Sequence, residues 1–186
     1  MNPGERPGVA VFGSYDPADG SEGYATAQAV GRKLAELGYV VVNGGFGGTM
    51  EASARGARQA GGRTVGVICR PWGIRANDYT DRTVQTDSIQ QRIAALLECG
   101  DAGVVVLPGS TGTLLELATV WEHVAKGLSA ARPIVCVGPF WRPLVEIIAS
   151  ARPANARWLA FVESPAELGR HFSPVPASAA GRKDAE

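Results

Sequence analysis

Lysine, histidine, methionine and cysteine are all scarce in this chain of 186 residues, and it carries no net charge. The three lysines, Lys33, Lys126 and Lys183, fall near helix ends or in the tail. None reads as a buried Schiff-base lysine, so pyridoxal phosphate chemistry is excluded and no cofactor is expected. The three cysteines, Cys69, Cys99 and Cys136, are an odd number without metal-ligand spacing. That excludes a disulfide framework and a zinc site; the thiols read as small buried hydrophobes, and no metal is expected. With 18 basic and 18 acidic residues, there is no electrostatic case for nucleic acid or an anionic membrane surface. Single-stranded DNA binding, which would want a basic stripe, is disfavoured for the same reason. No apolar run approaches the roughly 18–20 residues of a membrane span. The opening MNPGERPGVAVFG lacks a signal-peptide layout, its apolar stretch being short and strand-like, so a cytoplasmic location is expected.

Hydrophobic residues make up 45% of the chain, enough for a real core. Apolar strand runs alternate with helical patterns. Strands are expected at 8–12, 39–42, 64–69, 102–107, 133–137 and 158–162, and helices at 24–37, 50–60, 88–99, 114–128 and 141–150. Ser164-Pro165-Ala166-Glu167 reads as a further helix start, with an N-cap serine and proline at the first position. The stretch 70–87 reads as irregular, and as a lid or a contact between copies. Strands apolar throughout and separated by helices imply an α/β fold: a single Rossmann-type, doubly wound domain, its mainly parallel sheet covered by helices on both faces. The domain is expected to span 8–173, between a flexible N-terminus at 1–7 and a flexible tail at 174–186.

Such a sheet takes its ligand at the carboxyl ends of the strands. Three glycine turns belong there: Gly13-Ser14, the run containing Gly44, Gly45, Gly47 and Gly48, and the run Gly109, Ser110, Thr111, Gly112 and Thr113. The last two open helices, whose unpaired N–H groups and dipole favour an anion. Ser14, Thr111 and Thr113 add hydroxyl donors. Together they suggest a nucleotide or sugar-phosphate site. The NAD fingerprint is not met: GGFGG is too compressed and no acidic residue ends the second strand.

Glu116 has two readings. Thr113 to Glu116 has capping-box spacing, so the carboxylate could bond back to the helix start. It also points away from the Leu114/Leu117/Trp121 stripe, which frees it to stand beside a sugar and stabilise an oxocarbenium-like centre. Arg92, at the edge of an apolar stripe, is either a snorkelling side chain or a clamp for phosphate or leaving group. His123 reads as a surface or interface residue.

Several motifs resemble a known family. PGSTGTLLE, 108–116, is similar to the PGGxGTxxE signature of the LOG (Lonely Guy) proteins, once labelled lysine decarboxylase-like. NGGFGGTMEASARGA looks like their GGGxxGLMG segment, and VFGS with the helix after it resembles their first strand and helix. The resemblance covers about 8–145. It implies a Rossmann-type homodimer that cleaves the N-glycosidic bond of adenine-type nucleoside 5′-monophosphates to free base and ribose 5-phosphate. It places the family's functional glutamate on Glu116 and its functional arginine on Arg92, with the glycine turns holding the 5′-phosphate. The alternative on the same fold is a non-catalytic carrier of a nucleotide or phosphate ligand. Departures from the pattern motivate that alternative. Ile89-Gln90-Gln91-Arg92-Ile93 keeps the arginine but not its methionine, histidine and lysine neighbours. Ser110 stands for a glycine, and Asn43 and Glu51 replace the outer glycines of the first motif.

Overall fold

The computed structural model describes residues 6–176. Seven strands form one all-parallel sheet in the order β4-β3-β2-β1-β5-β6-β7. They are β1 (Gly8–Phe12), β2 (Val40–Asn43), β3 (Thr64–Cys69), β4 (Arg82–Thr86), β5 (Gly103–Val106), β6 (Ile134–Val137) and β7 (Leu159–Val162). The helices between them are α1 (Glu22–Glu36), α2 (Thr49–Gln59), α3 (Ile89–Cys99), α4 (Thr111–Ala125) and α5 (Arg142–Ala151). Among the described residues no helix is long and apolar enough to cross a membrane.

The apolar runs are continuous because both faces of the sheet are buried. Alternate residues of β1 show it. Val9 and Val11 pack with Tyr24, Ala27, Val30 and Leu34 of α1. Ala10 and Phe12 face the opposite way, into a cluster with Ile93 and Leu96 of α3 and Leu117 and Trp121 of α4. The chain winds outward from β1 in both directions, so the order reverses between β1 and β5, where a doubly wound sheet opens its crevice.

Three local expectations are corrected. The stretch 70–87 is not irregular throughout: it holds a 3₁₀ turn, Arg70–Trp72, and the edge strand β4. β4 reads RTVQT and its residues are mostly exposed, so it carries no apolar run to announce it. Helix α4 begins at Thr111, not Leu114, and ends at Ala125, leaving Leu128 beyond it and exposed. Pro165–Arg170 is a 3₁₀ turn, and the Ser164 side chain makes no capping bond. Most of the two ends expected to be flexible, 1–5 and 177–186, lies outside the described residues. Within them the Val40 N–H donates to Pro7 O and the Val175 N–H to Leu37 O.

Candidate functional site

β1, β2 and β5 are neighbours in the sheet, so the three glycine turns leaving their carboxyl ends meet. Two are bonded together. Ser14 O accepts from both the backbone N–H and the hydroxyl of Thr49, each at 2.9 Å. Gly48, at φ +63°, makes this approach possible: a Cβ there would strike the carbonyls of Ser14 and Tyr15. Asn43, buried at the end of β2, fastens the same turn. Its Nδ2 donates to Met50 O and Ser53 Oγ, and its Oδ1 accepts from the Gly45 N–H at 2.9 Å. The Ser14 hydroxyl, expected as a ligand donor, is spent on Asp16 Oδ2 at 2.6 Å. Glu51, at the other departure from the glycine motif, accepts from the Tyr24 hydroxyl at 3.0 Å.

The helix starts divide into two kinds. Ser21 caps α1 and Ser88 caps α3, each accepting a backbone N–H of the first turn. At α2, α4 and α5 no side chain caps, although Ser110 stands in the right place on α4. The space around Gly112 is open. The first-turn amides of α4 are thus left for an outside acceptor at the positive end of a helix dipole.

Glu116 does not close a capping box. With α4 starting at Thr111, Thr113 lies inside the first turn, and Glu116 is turned inward instead. Its Oε1 accepts from Arg92 Nη1 at 3.3 Å, and both side chains are almost wholly buried. Burial is the stronger influence on the carboxyl. It pushes Glu116 up to about 7, against the pull of the Arg92 charge. Burial likewise lowers the Arg92 guanidinium from its ordinary value, opposed by Glu116.

Arg92 is held on every side. Nε donates to Val67 O at 2.8 Å and Nη2 to Gly44 O at 3.2 Å, so one side chain joins the middle of β3 to the turn after β2. The absence of a side chain at Gly44 makes room for this bond, since a Cβ there would displace that Nη2. The guanidinium also lies over two rings, 5.5 Å from Phe46 and 5.1 Å from Trp72, which contact each other at 5.7 Å. The loop that brings Trp72 is tied down by Asn77. Its N–H donates to Gly45 O at 2.7 Å and its Nδ2 to Phe46 O at 2.9 Å.

The structure therefore joins Gly44, Arg92 and Glu116 in one contact chain, and Gly13, Ser14 and Gly48 in another. Gly109 packs on Thr113 within the α4 turn. Sequence reasoning missed Phe46, Trp72 and Asn77. The one usable signal was a lone large aromatic in each of two turns, GGFGG and RPWG.

A family model described as the SLOG cluster4 family matches residues 6–167. An uncharacterized protein of Archaeoglobus fulgidus is 36% identical over 131 residues, 70% of this chain and 83% of that one. The cytokinin riboside 5′-monophosphate phosphoribohydrolase of Mycobacterium tuberculosis is 36% identical over 135 residues, 71% of each chain. Among solved structures, the molybdenum cofactor binding protein of the phototrophic bacterium Rippkaea orientalis superposes with a TM-score of 0.70 at 22% identity, over 89% of this chain and 94% of that one. At that identity the likeness shows the fold alone.

Proposed function

The chain belongs to the SLOG cluster4 family, and from that premise we propose that it hydrolyses the N-glycosidic bond of adenine-type nucleoside 5′-monophosphates, AMP or N6-substituted AMP. The observation that carries the reading is the buried Arg92–Glu116 pair standing next to the uncapped start of α4. The 5′-phosphate takes the open amides of Gly109 to Thr113. The ribose then lies along the helix beside Glu116, whose carboxylate stabilises positive charge at C1′ as the C1′–N9 bond breaks. Water adds its oxygen to C1′, the base leaves with a proton on its ring nitrogen, and ribose 5-phosphate remains. Arg92 uses three of its five N–H donors on Val67, Gly44 and Glu116, which fixes the guanidinium against the departing base. The relative from Mycobacterium tuberculosis, named for this activity, supports the assignment.

The test is incubation with AMP and an N6-substituted AMP, with free base followed by chromatography, beside Glu116→Gln. Release that vanishes in a folded variant is the expected outcome. A variant that keeps wild-type turnover removes the assignment.

A second reading has an observation of its own. Two of the three Arg92 bonds go to backbone carbonyls, which makes it a scaffold residue as much as a reactive one. A carrier would bind its phosphate ligand in the same turns without turnover. The Rippkaea orientalis protein of this fold is named for binding the molybdenum cofactor. AMP recovered intact after long incubation, though bound, would select this reading.

The working unit in either reading is a pair of copies. Val120 and Val124 of α4 are buried in the chain's own core and offer no face to a partner. The face left for a partner is the apolar groove of about 340 Å³ between α4 and α5, lined by Leu114, Ala118, Leu144 and Ile148. Leu115 and Ile147 are exposed on the same two helices.

A further inference from the structure

The loop from Arg70 to Arg75 is exposed throughout, yet its tryptophan is not adrift. One part of the Trp72 indole meets Arg92 and Phe46 at the distances given above, while 44% of the residue remains open to solvent. The loop that presents it is anchored at both ends. Arg70 pairs with Asp87, and Asn77 bonds to the backbone of Gly45 and Phe46. Packing does not explain a large aromatic held half in water on a pinned loop. An indole half in water, fixed on a pinned loop beside the Arg92–Glu116 pair, offers an aromatic face to a planar group held there.

Its position says which part of a ligand. Along α4 the rise of about 1.5 Å per residue sets Glu116 on the order of 5–7 Å from the first-turn amides. Glu116 touches Arg92, and Arg92 touches Trp72. The sequence of amides, carboxylate, guanidinium and indole matches the sequence of phosphate, sugar and base in a nucleoside monophosphate. The geometry points to Trp72, beside Arg92 and Phe46, as the surface on which the planar base stacks. Trp72 is then the residue that selects a heteroaromatic phosphate over a bare sugar phosphate. This inference rests on the nucleotide reading for the seat of the phosphate; it does not rest on hydrolysis.

Calorimetric titration of AMP and of ribose 5-phosphate tests it, on wild type, Trp72→Leu and Trp72→Phe. Base–aromatic stacking predicts that Trp72→Leu weakens AMP about tenfold and leaves ribose 5-phosphate within about twofold, while Trp72→Phe keeps most of the AMP affinity. Three results overturn the inference: unchanged AMP affinity in Trp72→Leu, an equal loss for both ligands, or wild type holding AMP no tighter than ribose 5-phosphate. Base release is read separately by chromatography on the same samples. AMP bound through Trp72 but left intact removes the hydrolytic reading and keeps the stacking surface. Base release with a KM untouched by Trp72→Leu does the reverse.

Discussion

Glu116→Gln keeps the shape of the side chain and removes its charge, so it asks about chemistry with little disturbance of packing. The expected loss of base release is at least about a hundredfold, the usual scale for a positioned carboxyl group. The reacting form is the carboxylate, and burial holds its ionisation near pH 7. Activity should therefore rise with pH through that region, and a flat profile from pH 5.5 to 8.5 would count against the role. The same shift has a stability consequence of defined sign. The folded protein keeps this proton up to about 7, where the reference carboxyl gives it up at 4.5. Raising the pH between those values therefore costs folded-state stability. The melting temperature of wild type should fall relative to Glu116→Gln across that window and run parallel above it. Arg92→Met is a poorer probe of catalysis. It strands Glu116, Val67 O and Gly44 O, and losing one partner of a buried pair costs about 3–5 kcal/mol. Glu116 was singled out in the sequence by the PGSTGTLLE motif, and Arg92 only by its place in the family's arginine segment, whose neighbouring residues differ here. Their contact was not legible, because it depends on how α3 and α4 are set against the sheet. Trp72 and Asn77 were illegible because a loop has no periodicity to say where its side chains go.

The starts of α2 and α4 look alike in sequence and should respond oppositely to alanine. Gly48 is at positive φ against the backbone of the preceding turn. Gly48→Ala should cost on the order of 2 kcal/mol, seen as a lower denaturation midpoint. Around Gly112 the space is open and the residue is helical. Gly112→Ala should leave the melting temperature level or slightly higher, since alanine is the better helix former. It should nonetheless weaken AMP in a binding titration, because the new methyl stands where the phosphate is proposed to sit. A variant that melts normally and binds AMP as well as wild type would move the phosphate elsewhere. The boundaries that the sequence misjudged are of the same local kind. SerThrGlyThr looks like a loop, yet Thr111 begins α4, and that shift of one turn dissolved the expected capping box at Glu116. β4 escaped because an edge strand with exposed residues has no hydrophobic signature; it is recognised only by pairing with β3.

For the molecule as a whole, the doubly wound, mainly parallel sheet was readable because the inner strands are largely apolar on both faces, a pattern that a covered sheet tolerates; the strand order and the full parallelism came from the structure. A surface for the proposed pairing of copies was not readable, since Val120 and Val124 of α4 belong to the core. Light scattering on wild type should give the mass of two chains, and Ile148→Glu, in the α4–α5 groove, should give that of one with the fold retained. Wild type running as a single chain would end that proposal. The way Asn77 fastens its loop also bears on how such a protein changes trade over evolutionary time. The segment from Arg70 to Asp81 reaches the site through Trp72 and docks on GGFGG through Asn77, while the core beneath is built from other strands and helices. Descendants could therefore swap this segment as a cassette, keeping the Asn77 latch and acquiring a new clientele of bases. Directed evolution of ligand preference should begin there, with the pair at Arg92 and Glu116 left as inherited.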